Sequence, residues 1–344
     1  MKDGLSIIVP CYGMDGRFIE ETIASVYTQR EAPPFEVIIV NDGSSEPVTL
    51  SALDRINRAH PDIRIIEHKI NSGLPTARNT GLENASYPFI FPLDSDDKLS
   101  TDPALMQGGG YLGRAVDALK TNPDVVFSYC GLKLFGAVNH VWKRPVFDEK
   151  RLLSNHHIGP FAIYRKDEAL SMGGYNTGLG YAEDCDFNIA LINQRIKAGK
   201  PAQVEFFPEP YFHYRRRPDN SSMTSSRPGW TRDVFEKIIA RSPEIYEKHF
   251  PGMSGDQLID HVMERRREGL RSEASELFLR CARHPVDSLR DGTAEFTAYT
   301  VKRKVRVGLA ALWGSKNDTP GSDETAGQEM LAGINRHTHE INPL

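Results

Sequence analysis

The chain has 344 residues, 39% hydrophobic and 26% charged, with a formal net charge of −4. That length can bury a sizeable core in one large domain with an appendage, or in two domains. Without a clustered basic excess nothing supports a nucleic-acid partner, and four dispersed cysteines, Cys11, Cys130, Cys185 and Cys281, indicate neither a zinc site nor a disulfide framework, so a reducing compartment is the default.

The N-terminal Met1-Lys2-Asp3-Gly4 leads straight into a five-residue apolar run, too short for the apolar region of a signal peptide. No apolar run approaches the length of a bilayer span. A cytoplasmic location is expected, with any membrane contact peripheral at the inner face.

Leu5 to Val9 reads as a buried strand that exits sharply at Pro10-Cys11-Tyr12-Gly13. A helix over Phe18 to Gln29 follows, with Ile19, Ile23 and Val26 at helical spacing. The second strand, Phe35 to Val40, ends in Asn41-Asp42-Gly43-Ser44, and a helix carrying Leu50, Leu53 and Ile56 leads to a third strand, Ile63 to Ile66. Asn71-Ser72-Gly73 then opens a segment, Leu74 to Ala85, that contains Ala77-Arg78-Asn79. The fourth strand begins at Phe89 and runs into Leu93-Asp94-Ser95-Asp96-Asp97.

Four alternations of strand and helix predict an α/β fold: a mostly parallel sheet wound by right-handed crossovers, with every strand's C-terminal end on one rim. That rim collects Tyr12, Asp42, Arg78 through its helix, and Asp94 to Asp97. Three carboxylates in four positions repel one another, and a divalent cation with oxygen ligands is the cheapest way to keep them ionised together; an Asp-rich turn capping the helix near Pro103 is the competing reading. Asp42 can accept from a base or ribose, or close an Asx-turn. Neither Gly-x-Gly-x-x-Gly after the first strand nor a P-loop signature occurs, so those nucleotide folds lose their main support.

Beyond Pro103 a helical stretch to Thr121 is interrupted by Gly108-Gly109-Gly110, and Val125 to Phe135 and Val138 to Trp142 read as extended and more antiparallel. A short strand at Pro160 to Tyr164, a short helix at Lys166 to Met172 and the turn Gly173-Gly174-Tyr175 precede Ala182-Glu183-Asp184, which opens a helix through Ile196. Acidic residues in a first helical turn are ordinary complements of the helix dipole. Val204 to Phe207 reads as a strand, and Pro210 to Arg217 follows with Ser221 and Ser222.

Ile8-Val9-Pro10-Cys11-Tyr12, Val40-Asn41-Asp42-Gly43-Ser44, Asn71-Ser72-Gly73 with Ala77-Arg78-Asn79, Leu93-Asp94-Ser95-Asp96-Asp97, Gly173-Gly174-Tyr175 and Glu183-Asp184 stand in one order over roughly the first 220 residues. In this the chain resembles the family 2 glycosyltransferases, the inverting class with the Rossmann-like GT-A fold that takes sugars from nucleoside diphosphates. Gly13 departs from the Asn common there. The resemblance implies a catalytic domain over 1–225. Its donor site would comprise Pro10, Tyr12, Asp42, Arg78, Asp94, Ser95, Arg215, Arg217 and Ser221. Asp96 and Asp94 would hold Mn²⁺ or Mg²⁺, with His213 as a further ligand or a structural residue. Asp184 would act as base and Glu183 as its supporting carboxylate. The implied partners are a nucleotide-sugar donor, most readily UDP-linked, and a glycan or lipid-linked acceptor.

A mainly helical extension is expected over 226–314. Val262 to Ala282 has an amphipathic pattern, and the basic amphipathic stretch Val301 to Trp313 fits either an anionic membrane surface or a protein face. Residues 315–344 are polar and read as a flexible tail. Two rival readings remain: a sugar nucleotidyltransferase, for which Tyr12 to Arg17 is a poor glycine-rich loop, and a glycan-assembly scaffold without turnover.

Overall fold

A computed structural model describes residues 3–217 and 230–283. In chain order its first half comprises β1 (Leu5–Cys11), α1 (Gly16–Tyr27), β2 (Phe35–Asn41), α2 (Pro47–Ala59), β3 (Arg64–Glu67), α3 (Leu74–Asn84) and β4 (Phe89–Pro92). All seven residues of β1 are buried, because it lies between β2 and β4 and runs parallel to both. A parallel strand covered on both faces needs a continuous apolar run, which Leu5 to Val9 supplies. β3 pairs with β2 in parallel and is shorter, with exposed charged ends, as befits an edge.

The chain continues through β5 (Lys98–Leu99), α4 (Pro103–Met106), α5 (Gly110–Thr121), β6 (Val125–Gly136), β7 (His140–Trp142), α6 (Glu149–Leu152), β8 (Ile163–Arg165), α7 (Lys166–Ser171), α8 (Glu183–Lys197) and β9 (Gln203–Arg216). The sheet order is β3-β2-β1-β4-β8-β6-β9-β5. β8 is antiparallel to β4 and β6, and β5 is antiparallel to β9. The mixed, mostly parallel-cored α/β architecture predicted from the alternation is thus observed.

The interruption expected at Gly108-Gly109-Gly110 is observed: the stretch from Pro103 to Thr121 is divided into α4, one 3₁₀ turn and α5, since all three glycines take positive φ. The extent of the last strand differs from expectation. The strand expected at Val204 to Phe207 runs on to Arg216, through Pro208 and Pro210. Extended backbone suits the fixed φ of proline, and pairing of Leu99 with Phe212 and Lys98 with His213 continues the strand.

α3 lies close to the sheet. A Cβ at Gly81 would stand 2.3 Å from Ile8 Cγ2, so the missing side chain is what lets this helix approach β1. Its buried face carries Pro75, Ala77, Arg78, Gly81 and Leu82, and the close approach brings a guanidinium into the interior.

The chain divides into two compact units, one formed by residues 1–134, 141–215 and 232–263. This unit includes α9 (Arg232–Arg241) and α10 (Pro243–His249), and α11 (Gly255–Arg283) begins in it. In the second unit, Ala137 donates its N–H to the Arg216 carbonyl at 2.8 Å, and the Arg266 guanidinium lies 4.1 Å over the Trp230 ring. The membrane-surface stretch and the flexible tail expected beyond residue 300 lie outside the described residues. Among the described residues no helix is long and apolar enough to cross a membrane.

Candidate active site

The tips of β1 and β2 are tied together. Pro10 is buried within β1, Tyr12 just beyond it is 52% exposed, and the Gly13 N–H donates to Ser44 Oγ at 3.1 Å. Asn41 closes the turn after β2 by accepting from the Ser44 N–H. Asp42 is therefore released from that duty. Its side chain is 4% exposed, and the carboxylate accepts from Ser72 N–H (2.9 Å) and Gly73 N–H (2.8 Å) and faces His68 Nδ1 (2.7 Å). Asp42 thus anchors the Asn71-Ser72-Gly73 loop at the start of α3. Oδ1 carries two of these contacts and Oδ2 one, so Oδ2 retains acceptor capacity.

Arg78 is the centre of the site. Its side chain is 1% exposed, with Nη2 donating to Asp94 Oδ1 at 2.7 Å and Nη1 to Glu183 Oε1 at 2.8 Å. One buried cation therefore bridges the acidic tip of β4 and the first turn of α8. The next residue, Asn79, pins the glycine turn by donating to the Tyr175 carbonyl (2.8 Å) and accepting the Tyr175 N–H (2.7 Å). Tyr175 in turn stacks on Phe187 of α8 at 4.0 Å, so the Ala77-Arg78-Asn79 and Gly173-Gly174-Tyr175 motifs form one assembly. Burial at 1% places Arg78 on carboxylates, away from solvent-facing ligand.

At α8 the chain enters through Ala182 in a left-handed conformation, φ 63°, which costs a residue with a Cβ roughly 1 kcal/mol and turns the first helical residues toward Arg78. Burial pushes the Glu183 carboxyl up to about 7, opposed by Arg78 and reinforced by Asp184. Asp184 is raised by burial against the pull of Arg78. Desolvation thus outweighs the helix dipole, and both carboxyls are pushed toward their neutral forms. Asp184 Oδ1 accepts the Cys185 N–H at 2.8 Å, and its Oδ2 stands 3.5 Å from His156 Nδ1. Pro92, Pro160, Tyr164, Tyr175 and Phe187 line a narrow crevice that Asp184 and Asn188 enter.

The rest of the Asp-rich loop meets β9 through Arg215. Ser95 and Asp97 are buried while Asp96 is half-buried. Arg215 donates from its backbone N–H to Asp97 Oδ1 and from Nε to the Asp96 carbonyl, both at 2.7 Å. It also pairs with Glu21 and stacks on Phe18, Cζ 4.1 Å from the ring. This arginine therefore holds the Asp-rich loop in shape, which differs from the solvent-facing role implied by a diphosphate ligand. Arg217 is half-buried just past the end of β9, and Ser221 lies outside the described residues.

Asp94, Asp96 and His213 do not form a ready-made metal cage, and among the described residues no three His, Cys, Asp or Glu side chains converge on one point. Asp94 Oδ1 is taken by Arg78. His213 is held neutral, its pKa lowered to about 4 by burial and by Lys133 and Lys98. Two part-exposed carboxylates still suit a hard cation that completes its shell with phosphate oxygens and water.

His156 carries no motif in the sequence, and neither does the ion pair between Arg241 of α9 and Asp186 of α8. Arg241 also donates to the carbonyls of Met172 and Gly174, so a residue remote in sequence buttresses the glycine turn. The contacts span 55 to 69 positions, and local pattern carries no trace of them.

Residues 6–169 match the family model described as Glycosyl transferase family 2. An uncharacterized glycosyltransferase of Haemophilus influenzae is 27% identical over 198 residues, 55% of this chain and 62% of that protein; this chain thus spans less than two thirds of that relative's length. S. aureus TarS 1–349, solved in complex with UDP-GlcNAc, superposes with a TM-score of 0.53 at 16% identity, covering 87% of this chain and 81% of that one. A mannosyltransferase of Pyrobaculum calidifontis, solved with GDP-Man and Mn²⁺, gives a TM-score of 0.53 at 19% identity over 92% and 89%. At these identities the two structures establish the GT-A-like fold.

Proposed function

Residues 6–169 belong to glycosyl transferase family 2, and on that premise we propose that the chain is a metal-dependent inverting glycosyltransferase. It moves a sugar from a nucleoside diphosphate, UDP first among the candidates, to a hydroxyl of a glycan or lipid-linked acceptor in the cytoplasm. The observation that carries this reading is the Arg78 bridge, which sets the acidic tip of β4 and the Glu183-Asp184 turn on opposite sides of one guanidinium.

The division of labour follows from placement. Tyr12, 52% exposed, offers a face for the base, with Pro10 behind it, and Asp42 Oδ2 has capacity for a ring N–H. Asp94 and Asp96 would hold a divalent cation, which supplies neutralisation of the charge that develops on the leaving diphosphate. Asp184, which lines the crevice, takes the proton of the acceptor hydroxyl as its oxygen attacks the anomeric carbon opposite that leaving group. Glu183, buried and bonded to Arg78, keeps the turn in place. Arg78 acts by fixing both acids, and Arg215 by fixing the loop that carries Asp96 and Asp97.

Calorimetric titration with UDP, GDP and dTDP, each with Mn²⁺ and with excess chelator, tests the proposal. Metal-dependent binding of one nucleotide is expected. Absence of binding by all three under both conditions would overturn the donor site and favour a scaffold.

A further inference from the structure

His156 lies outside the sequence motifs, in the loop between α6 and β8, yet its ring stands against Asp184. The identity of the facing atom is decided on the other side of the imidazole. The Gly159 backbone N–H approaches His156 Nε2 at 3.3 Å, and the Asn188 amide does so at 3.2 Å. A backbone N–H only donates, so Nε2 accepts and the ring proton of the neutral imidazole resides on Nδ1. Nδ1 is the atom 3.5 Å from Asp184 Oδ2.

The loop is built to present that N–H. Gly159 takes φ +95°, and a Cβ there would stand 2.5 Å from the Phe161 ring, so glycine is required to direct its N–H back at residue 156. The His156 side chain is 11% exposed and that of Asp184 21%, which limits competition from water. A separation of 3.5 Å is longer than a formed hydrogen bond, and catalytic contacts of this kind commonly shorten once ligand is bound.

We propose that His156 is a positioning residue for the base, its Nδ1–H holding Asp184 Oδ2 ionised and aimed while the acceptor hydroxyl gives up its proton. This rests on the glycosyltransferase reading above for the identity of the base, but the pairing itself does not. A buried carboxylate beside Glu183 and Asp94 is pressed toward its neutral form, in which it cannot act as base; Arg78 offsets this from one side, and the imidazole N–H does so from the other. The donor never leaves the imidazole, so the acceptor proton ends on Asp184 and the ring stays neutral or gains a proton from solvent later.

Three substitutions separate this role from simple packing. His156→Asn keeps an N–H donor near the Nδ1 position, His156→Gln keeps a polar group near the Nε2 position, and His156→Ala keeps neither. With UDP-GlcNAc and Mn²⁺ as the probe, release of UDP to water as acceptor is followed. The alanine and glutamine variants should lose about 10- to 100-fold in kcat with donor KM within about twofold, and the asparagine variant should recover most of the loss. Rescue by glutamine and not by asparagine would overturn the proposal in favour of a structural role at Nε2.

An arm independent of turnover uses ¹⁵N-histidine NMR of wild type and Asp184→Asn, with His156 assigned from the asparagine variant. The groups facing the pair, Arg78 from α3, Asp94 from the tip of β4, Glu183 on α8 and the adjacent His157, are present in both proteins. The wild-type ring should show the Nδ1–H tautomer and titrate about one pH unit higher than in Asp184→Asn. Equal midpoints, or an Nε2–H tautomer, would end the pairing whatever the activity. If the wild type turns over no UDP-GlcNAc and binds no nucleotide, the glycosyltransferase reading fails, and the NMR comparison still decides the pair.

Discussion

Replacing Arg78 by methionine keeps the length and helix propensity of the side chain and removes the charge between two carboxylates. Arg78 is 1% exposed, Glu183 8% and Asp94 25%. Removing one partner of a buried ion pair costs about 3–5 kcal/mol, and the partial exposure of Asp94 puts the expectation at the lower end, roughly 3 kcal/mol. The cost depends on pH with a definite sign. Glu183 titrates at about 7 in the folded protein against 4.5 ordinarily, so between those values the folded state holds a proton that the unfolded state lacks. Its contribution to stability is full below 4.5 and falls as pH rises to 7, by about 1.4 kcal/mol per unit. Without the guanidinium, the main group opposing the effect of burial, the folded carboxyl titrates above 7 and the fall continues. The gap between wild type and Arg78→Met should therefore be smallest at pH 5.5 and about 1.4 kcal/mol wider for each unit above 7 until the variant's carboxyl ionises. Urea unfolding with linear extrapolation at pH 5.5, 7.0 and 8.5 measures it. A gap below about 1 kcal/mol at pH 8.5, or one constant across the three, would refute the bridge as the organising contact.

Asp184→Asn should leave the dissociation constant for the bound nucleotide within about twofold while lowering transfer by about 10²–10⁴, the usual contribution of a general base; equal loss of both in calorimetry and turnover assays would remove Asp184 from the chemistry. Gly81→Ala places a methyl group 2.3 Å from Ile8 Cγ2 and should cost about 1–3 kcal/mol in urea unfolding, with a smaller increment on an Ile8→Ala background; an additive increment would mean the two do not meet. Asp186 is pushed up to about 6 from 3.8, chiefly by burial and against Arg241. Wild-type stability should therefore decline as pH rises from about 4 to 6 through this group. Asp186→Asn should remove up to about 1.4 kcal/mol per unit of that slope, and an unchanged pH–stability curve would show that Asp186 ionises as it does in water.

The alternating strands and helices were legible because each β1-type strand is buried on both faces and each connecting helix on one. These are local requirements, written as continuous apolar runs and as helical spacing. The tips were legible too, since Asn41-Asp42-Gly43 and Asp94-Ser95-Asp96 combine turn chemistry with charge that a core does not need. The full length of β9 was not legible past Phe207: the strand persists through Pro208 and Pro210 because β5 pairs with it from more than 100 residues away. Gly108 to Gly110 marked an interruption without specifying the 3₁₀ turn.

Composition and spacing singled out residues without assigning their partners. Arg78 and Arg215 are both arginines near acids, suitable alike for a phosphate or a carboxylate, and nothing local distinguishes the two. Their burial decides it: Arg78 is enclosed by α3, β4 and α8, where water cannot screen it, so it binds Asp94 and Glu183. His156 meets Asp184 across 28 positions and Arg241 meets Asp186 across 55, through loops whose shape depends on what they pack against. The sheet and its rim could be read from local pattern, because hydrophobic period and turn chemistry act over a few residues. Which charge faces which could not, because Coulomb and desolvation energies depend on distance and exposure in space.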